Sequence, residues 1–312
     1  MQLPDHRRYP FSAIGRRPDY SWPDGKRLAF YVAISVEHFA FGAGIGEDIS
    51  MLGAPQTQRN FGWRDYGQRV GLWNLSKMLD ELKLPLACAV NGLLYRERPE
   101  LVSRLHARGD EIIAHGRTSS EIQNDMWEHD EAHLIREVTD TIAAQAGKPP
   151  AGWLGPGFGE TRVTVDLLKE AGYDYVLDWP ADDQPFWMST RAGPLLSVPY
   201  PLELNDVTAI LHRRHGAREF ADMIVNQFEV MAVQSEKQPL VFALGLHAYV
   251  AGQPFRMHAL RKALRHCLTH RHSGRVWFTQ PGEIARHCMS LPTGTLPPFS
   301  LGESEARGPG RG

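Results

Sequence analysis

The chain has 312 residues, 42% hydrophobic and 22% charged, with a formal net charge of −2. That length supports a large core in one α/β domain or two smaller ones, and the near-neutral charge gives no reason to expect a nucleic acid or anionic membrane as partner. No apolar run approaches the ~18–20 residues of a membrane span, the polar stretch Met1–Tyr9 lacks a secretory signal's apolar core, and Cys88, Cys267 and Cys288 are too scattered for a disulfide framework, so a cytoplasmic protein is expected.

The first 27 residues, rich in Pro, Arg and aromatics, read as an arm over the surface. An apolar strand, Leu28–Val36, follows, then a Gly-rich loop from His38 to about Asn60; loops of that length usually act, and this one is placed to cover a site. Apolar residues at helical spacing mark a helix over 67–83, and a strand over 85–90 precedes a helix from about Pro99 to Ala107. The strand Glu111–Ala114 runs into His115-Gly116. A helix over 130–146 is closed by Gly147, then come short strands at 151–155 and 173–177 around a helix that ends at Ala171. Asp182-Asp183-Gln184-Pro185-Phe186-Trp187 reads as a polar loop, and Leu195–Pro199 as a further strand. A helix at 217–234, the strand Leu240–Leu246, a helix at 257–270 and a strand at 275–279 complete the series. About seven βα units imply a parallel sheet with right-handed crossovers. One catalytic domain over 1–289 is expected, with residues 290–312 a disordered tail of Gly, Pro and charge.

Three strands deliver an ionisable group at their carboxyl ends: Glu37-His38, His115 and His247. Chemistry in α/β barrels sits at those ends. A lone strand-end His is more often structural than catalytic, and a carboxylate after a buried strand is costly unless paired or functional. The three together favour an active site. Gly116 is expected to open space for a ligand beside His115. By contrast, His258, His266, His270 and His272, and the run His212-Arg213-Arg214-His215, read as solvated surface.

These residues resemble the motifs of the polysaccharide deacetylase family, over roughly Asp19 to Cys288. The resemblance implies a distorted seven-stranded (β/α) barrel. Its first motif, an Asp pair, is here Ser35-Val36-Glu37-His38, with Glu37 or, one register on, His38 at the acidic position. Its His-x-x-x-His motif is His115-Gly116-Arg117-Thr118-Ser119, with Ser119 in place of the second ligand His. Its Arg-x-Pro motif is Leu154-Gly155-Pro156, without the Arg, and its Leu-x-His motif is met by Leu246-His247. Family deacetylases hold a divalent metal that activates water. Ser119 is a poor zinc ligand. A metal here would rest on Glu37, His38 and His115, so the expectation is no required cofactor, or one weakly held divalent ion such as zinc.

The chain is more similar to the branch of metal-independent allantoinases and cyclic imide hydrolases. The matching residues are Tyr66-Gly67-x-Arg69-x-Gly71-x-Trp73, Ala114-His115-Gly116, Gly152-Trp153, the 182–187 stretch, Val198-Pro199-Tyr200, Leu204-Asn205-Asp206 and Gly245-Leu246-His247 with Gly252-x-Pro254-x-Arg256-Met257. That branch implies hydrolysis of a C–N bond in a small cyclic amide, an imide or a ureide such as allantoin. Glu37 is then the expected general base, His115 shares its work, and His247 is the general acid. Asp183, Trp187, Asn205 and Arg256 are candidates for substrate contact, with Arg256 alternatively orienting the His247 loop. Phe61, Trp63, Trp179, Phe186 and Trp187 suggest a partly apolar pocket, which favours an imide over a ureide. The resemblance also implies a homo-oligomer, a tetramer. Two alternatives stay open: a metal-dependent N-deacetylase of acetylated sugars, and a non-catalytic small-molecule binding protein on the same scaffold.

Overall fold

The structure is a computed structural model and describes residues 6–42 and 57–297. Most of the expected covering loop (43–56) and of the expected tail (298–312) therefore lies outside the described residues. Strand β1 is Leu28–Val36, and helix α1 is Gln58–Tyr66; a single π-turn, Gly67–Gly71, leads into α2, Leu72–Leu82. The helix expected over 67–83 is thus a π-turn followed by α2, and α1 precedes it. There follow β2 (Ala87–Val90), α3 (Leu94–Glu97), α4 (Pro99–Arg108), β3 (Glu111–Ala114), α5 (Glu128–Ala146) and β4 (Gly152–Trp153). Next are α6 (Thr164–Glu170), β5 (Tyr175–Val176), β6 (Phe186–Met188), β7 (Leu195–Ser197) and α7 (Ala217–Gln234). The chain closes with β8 (Leu240–His247), α8 (Ala248–Ala251), α9 (Pro254–Thr269), β9 (Val276–Phe278) and α10 (Pro281–Ser290). No described helix is long and apolar enough to cross a membrane.

The nine strands form one curled sheet in the order β6-β7-β5-β4-β3-β2-β1-β8, with β9 also paired to β1. All pairings are parallel except β6–β7. This is a curled α/β half-barrel of the kind the resemblance implies, with a strand count above the expected seven. The excess has local causes. β9 takes the first residues of β1 (Leu28 to Phe30) and β2 the last (Ala33 to Val36) on the side away from β8, so one flank of β1 holds two short strands. The stretch expected as a loop after β5 contains β6, an antiparallel edge strand. Its free edge is blunted: Ser189 N–H donates to Arg8 O at 2.6 Å and Trp187 N–H to Pro297 O at 3.3 Å. The arm that does this is pinned by two forked ion pairs, Arg8 to Asp166 (2.8 and 2.8 Å) and Arg17 to Asp182 (2.8 and 2.6 Å).

Every residue of β1 is buried, as expected for a parallel strand covered on both faces. Side-chain alternation divides the core in two. Leu28, Phe30, Val32, Ile34 and Val36 pack with the helices in the outer core, while Ala29, Tyr31 and Ala33 face the inside of the curl with Ala87, Ala89, Ile113, Leu154, Tyr175, Val198 and Ala243. Trp22 and the α10 residues Ile284 and Ala285 join this inner core. The same parity, carried one step past each strand, selects which residues enter the site.

Candidate active site

The register aligns the strand ends. Val36 pairs with Val90, and Val90 with Ala114, so Glu37, Asn91 and His115 stand level, one residue beyond them. Ser35 pairs with His247 on the other side. Odd-numbered residues of β1 face inward, which carries Glu37 into the curl and turns His38 out. Glu37, His115 and His247 line one cavity of about 600 Å³, together with Ser35, Asn205 and Ser119. His38 does not line it; its ring is half-buried, and it is held below the ordinary histidine value by burial and by Arg98. The register question is thus decided for Glu37.

The three groups are individually constrained. His115 Nδ1 donates to Leu154 O at 2.5 Å, and its Nε2 faces Glu37 Oε1 at 3.9 Å. Burial pushes the Glu37 carboxyl upward, but His115, His247 and Ser119 outweigh it and hold the group at about 2. Glu37 is therefore a carboxylate at any working pH. Burial lowers His247, yet Asp206 and then Glu37 raise it above the ordinary histidine value overall.

Asp206 is the functional residue that sequence reasoning passed over. It is fully buried, takes His247 Nδ1 on Oδ1 at 2.8 Å, and accepts the amides of His247 (2.9 Å) and Ala251 (3.1 Å) on Oδ2. This fixes the His247 tautomer and aims Nε2 as the working nitrogen. Asp206 stands at the start of a second π-turn, Val207–His212, which also brings Val207, Thr208 and His212 to the cavity wall. Two π-turns beside one site follow a known association of such turns with function. The sequence placed Asp206 in the Leu204-Asn205-Asp206 stretch of the resemblance but gave no signal of its own for a role beside His247.

Asn91 ties the strand ends together. Its Oδ1 accepts His38 N–H (2.7 Å) and Ser119 O–H (3.1 Å), and its Nδ2 donates to His115 O. Ser119 is thus tied to the framework through Asn91 as well as facing Glu37. Gln68, on the first π-turn, donates to Glu37 O at 2.6 Å. Behind Glu37 lies a niche of about 10 Å³, room for about one water, lined by Glu37, Arg64, Gln68 and Tyr249. Glu37 Oε2, Gln68 Oε1, and Arg64 Nε and Nη1 are all buried without a hydrogen-bond partner among the described residues. Arg64 is only 4% exposed and lies 4.0 Å over the Phe39 ring. Two orphan acceptors and two orphan donors around one such niche are mutually complementary through a water.

Other expected site residues fall elsewhere. Asn205 lines the cavity, with Oδ1 taken by the amides of Val207 (3.0 Å) and Thr208 (3.4 Å), so its NH2 is what it can offer a ligand. Asp183 does not join it: its carbonyl accepts Val241 N–H beside the first residues of β8, the strand end opposite His247. Trp187 lies in the edge strand β6, paired with Leu196, and is likewise outside the cavity. Arg256 donates to Val250 O at 3.1 Å, tying down the turn after His247 without lining the cavity. The aromatic wall consists of Phe39, Phe158, Tyr200 and Tyr249, and none of the five aromatics expected there contributes. His212 and Arg213, expected as wet surface, line the cavity.

Gly116 also differs from its expected role. It adopts φ +61°, and a Cβ there would lie 2.8 Å from Pro156 Cγ, so its space belongs to the neighbouring loop. That loop is anchored by Asp178, whose Oδ1 accepts Gly155 N–H at 2.7 Å. Gly116→Ala should destabilise the fold by about 1–3 kcal/mol for the left-handed backbone alone. An unchanged denaturant midpoint would refute this packing account.

A metal finds too few ligands in this cavity. Glu37 and His115 converge, His38 faces away, and Ser119 is a neutral hydroxyl bonded to Asn91. Two protein ligands are one short of the three that catalytic zinc sites hold. Among the described residues, the three-ligand cluster is Glu229, His266 and His270, outside this cavity.

A model of the polysaccharide deacetylase family matches residues 64–176, a span that includes His115 but neither Glu37 nor His247. A Schizosaccharomyces pombe protein provisionally named a polysaccharide deacetylase is 25% identical over 279 residues, 84% of this chain and 85% of that one. The crystal structure of PuuE allantoinase superposes with a TM-score of 0.79 at 25% identity, covering 89% of this chain and 97% of that one. A Pseudomonas aeruginosa protein described as a probable polysaccharide deacetylase gives a TM-score of 0.78 at 26% identity, with the same coverage of both chains.

Proposed function

We propose that this chain is a C–N hydrolase of the polysaccharide deacetylase family and that it opens a small cyclic amide, an imide or a ureide such as allantoin, by direct attack of water. The observation that carries the reading is the placement of an ionised carboxylate with an unpartnered buried oxygen, Glu37 Oε2, in one cavity with an Asp-backed histidine, His247. The superposition on an allantoinase over most of both chains supports the same reading.

The chemistry follows from the two groups. Glu37 takes a proton from water as its oxygen bonds to the carbonyl carbon. The C–N bond then breaks, and His247 Nε2–H protonates the departing nitrogen. One water is added across the bond, and the ring opens to an acid and an amide or urea. Asn205 NH2 and the neighbouring Tyr200 hydroxyl are the side-chain donors at the wall for the oxygen that becomes negative. Glu37 and His115, with no third ligand beside them, give no route through a bound metal. The aromatic and aliphatic wall suits a compact, flat substrate, which favours an imide.

The test is hydrolysis of succinimide, glutarimide, hydantoin, allantoin and an N-acetylated chitooligosaccharide, each with and without chelator. Chelator-resistant opening of a ring is the expected result. Activity confined to the acetylated sugar and abolished by chelator would overturn the reading in favour of a metal-dependent deacetylase, and inactivity on all five would favour a binding protein.

A further inference from the structure

We infer that Glu229, His266 and His270 form a surface site for a divalent transition metal such as zinc, separate from the catalytic cavity. Glu229 comes from α7; His266 is on α9 and His270 caps it, and these helices pack side by side. Each of the three residues offers a ligand atom within 4.8 Å of the other two. His266 Nε2 faces Glu229 Oε1 at 3.0 Å, shielded from solvent and without hydrogen-bond geometry to any partner. Two ligands at about 2.0–2.1 Å from a tetrahedral ion stand roughly 3.3 Å apart, so this pair is already near the spacing a zinc ion needs.

The third ligand is one helical turn further on. The His266 and His270 ring centroids are 5.4 Å apart, and Phe228 meets the His270 ring edge-on at 5.5 Å, which limits its rotation. His270 Nδ1 accepts a long 3.3 Å bond from the His272 amide, weak enough for a metal to replace. Two imidazoles and a carboxylate, with the fourth position left to water, make a donor set zinc uses. Without a metal, the exposed Glu229–His266 pair is worth little. The cluster lies near the carboxyl end of α9, just before β9 joins the first residues of β1, and so at the end of the sheet opposite His247. Zinc bound there would clip α7 to α9, and zinc recovered with purified protein would report this clip rather than the chemistry at Glu37. The inference stands independently of the proposed substrate.

The experiment strips the full-length protein of metal and titrates it with zinc chloride against a colorimetric zinc indicator. The expected result is one bound equivalent in the wild type and in His115→Asn, and none in the double variant His266→Asn/His270→Asn. Zinc should also raise the wild-type Tm and leave that of the double variant unmoved. No bound zinc in the wild type would overturn the inference, as would an equivalent that survives the double substitution or is lost in His115→Asn. The three positions are exposed or half-buried, so the double variant folds and its result is interpretable.

Discussion

Glu37→Gln should lower kcat on the cyclic amide substrate by about 10³-fold, within the 10²–10⁴ range that a positioned base supplies, with little change in KM. The amide keeps the volume of the carboxylate and can still accept from a water through its oxygen, so the substitution removes basicity rather than shape. It also removes one of the charges that hold His247 above the ordinary histidine value. The alkaline limb of kcat/KM, which reports loss of the His247 proton, should therefore move to lower pH in the variant. In the wild type, Glu37 sits at about 2 and stays ionised throughout the accessible range, so its protonation contributes no acidic limb above pH ~4. Activity within tenfold of wild type, or an alkaline limb left in place, would remove Glu37 from the mechanism.

The same residue shows what the sequence made legible. The strands that carry Glu37, His115 and His247 are long apolar runs or end in a clear turn, and their carboxyl ends could be located from pattern alone. Alternation along 28–36 contains enough to choose Glu37 over His38, once one knows that Ala29, Tyr31 and Ala33 form the inward row; the sequence shows both rows as apolar and so hides which is which. The strand count failed where strands are only two or three residues long or lie at an edge. Phe186–Met188 follows two Asp and a Pro, and reads as loop until the partner strand and the Arg8 and Pro297 carbonyls are seen beside it. The outer parts of the site were hidden for a related reason. Gln68 lies on one π-turn and Asp206 caps another, and the extra residue per turn breaks the helical period on which sequence reading depends. Asp183 and Trp187 were placed by their chemistry in a polar stretch, and tertiary structure sends that stretch to the far end and edge of the sheet.

Asp206→Asn offers the sharper separation of a working acid from a merely packed histidine. Asp206 Oδ2 accepts two backbone amides, from His247 and Ala251, and those donors remain in the variant. Asn must give its one oxygen to them, which turns its NH2 toward His247 Nδ1. A donor facing Nδ1 forbids the proton that the imidazolium carries there, so His247 can no longer hold the charged form it needs to protonate a leaving nitrogen. The expected result is a fall in kcat/KM of about 10⁴-fold, the order of the loss seen when a triad histidine is forced into the wrong tautomer. The alkaline limb should move below its wild-type position, because the raising effect of Asp206 is gone. The backbone bonds that shape the turn survive, so a thermal midpoint near wild type would show that the loss is in proton transfer and not in folding. A substrate with an activated leaving group, which departs without protonation, should recover most of the lost rate, whereas a purely structural role would depress both substrates alike. Equal losses on the two substrates with an unmoved pH profile would take the general-acid role away from His247.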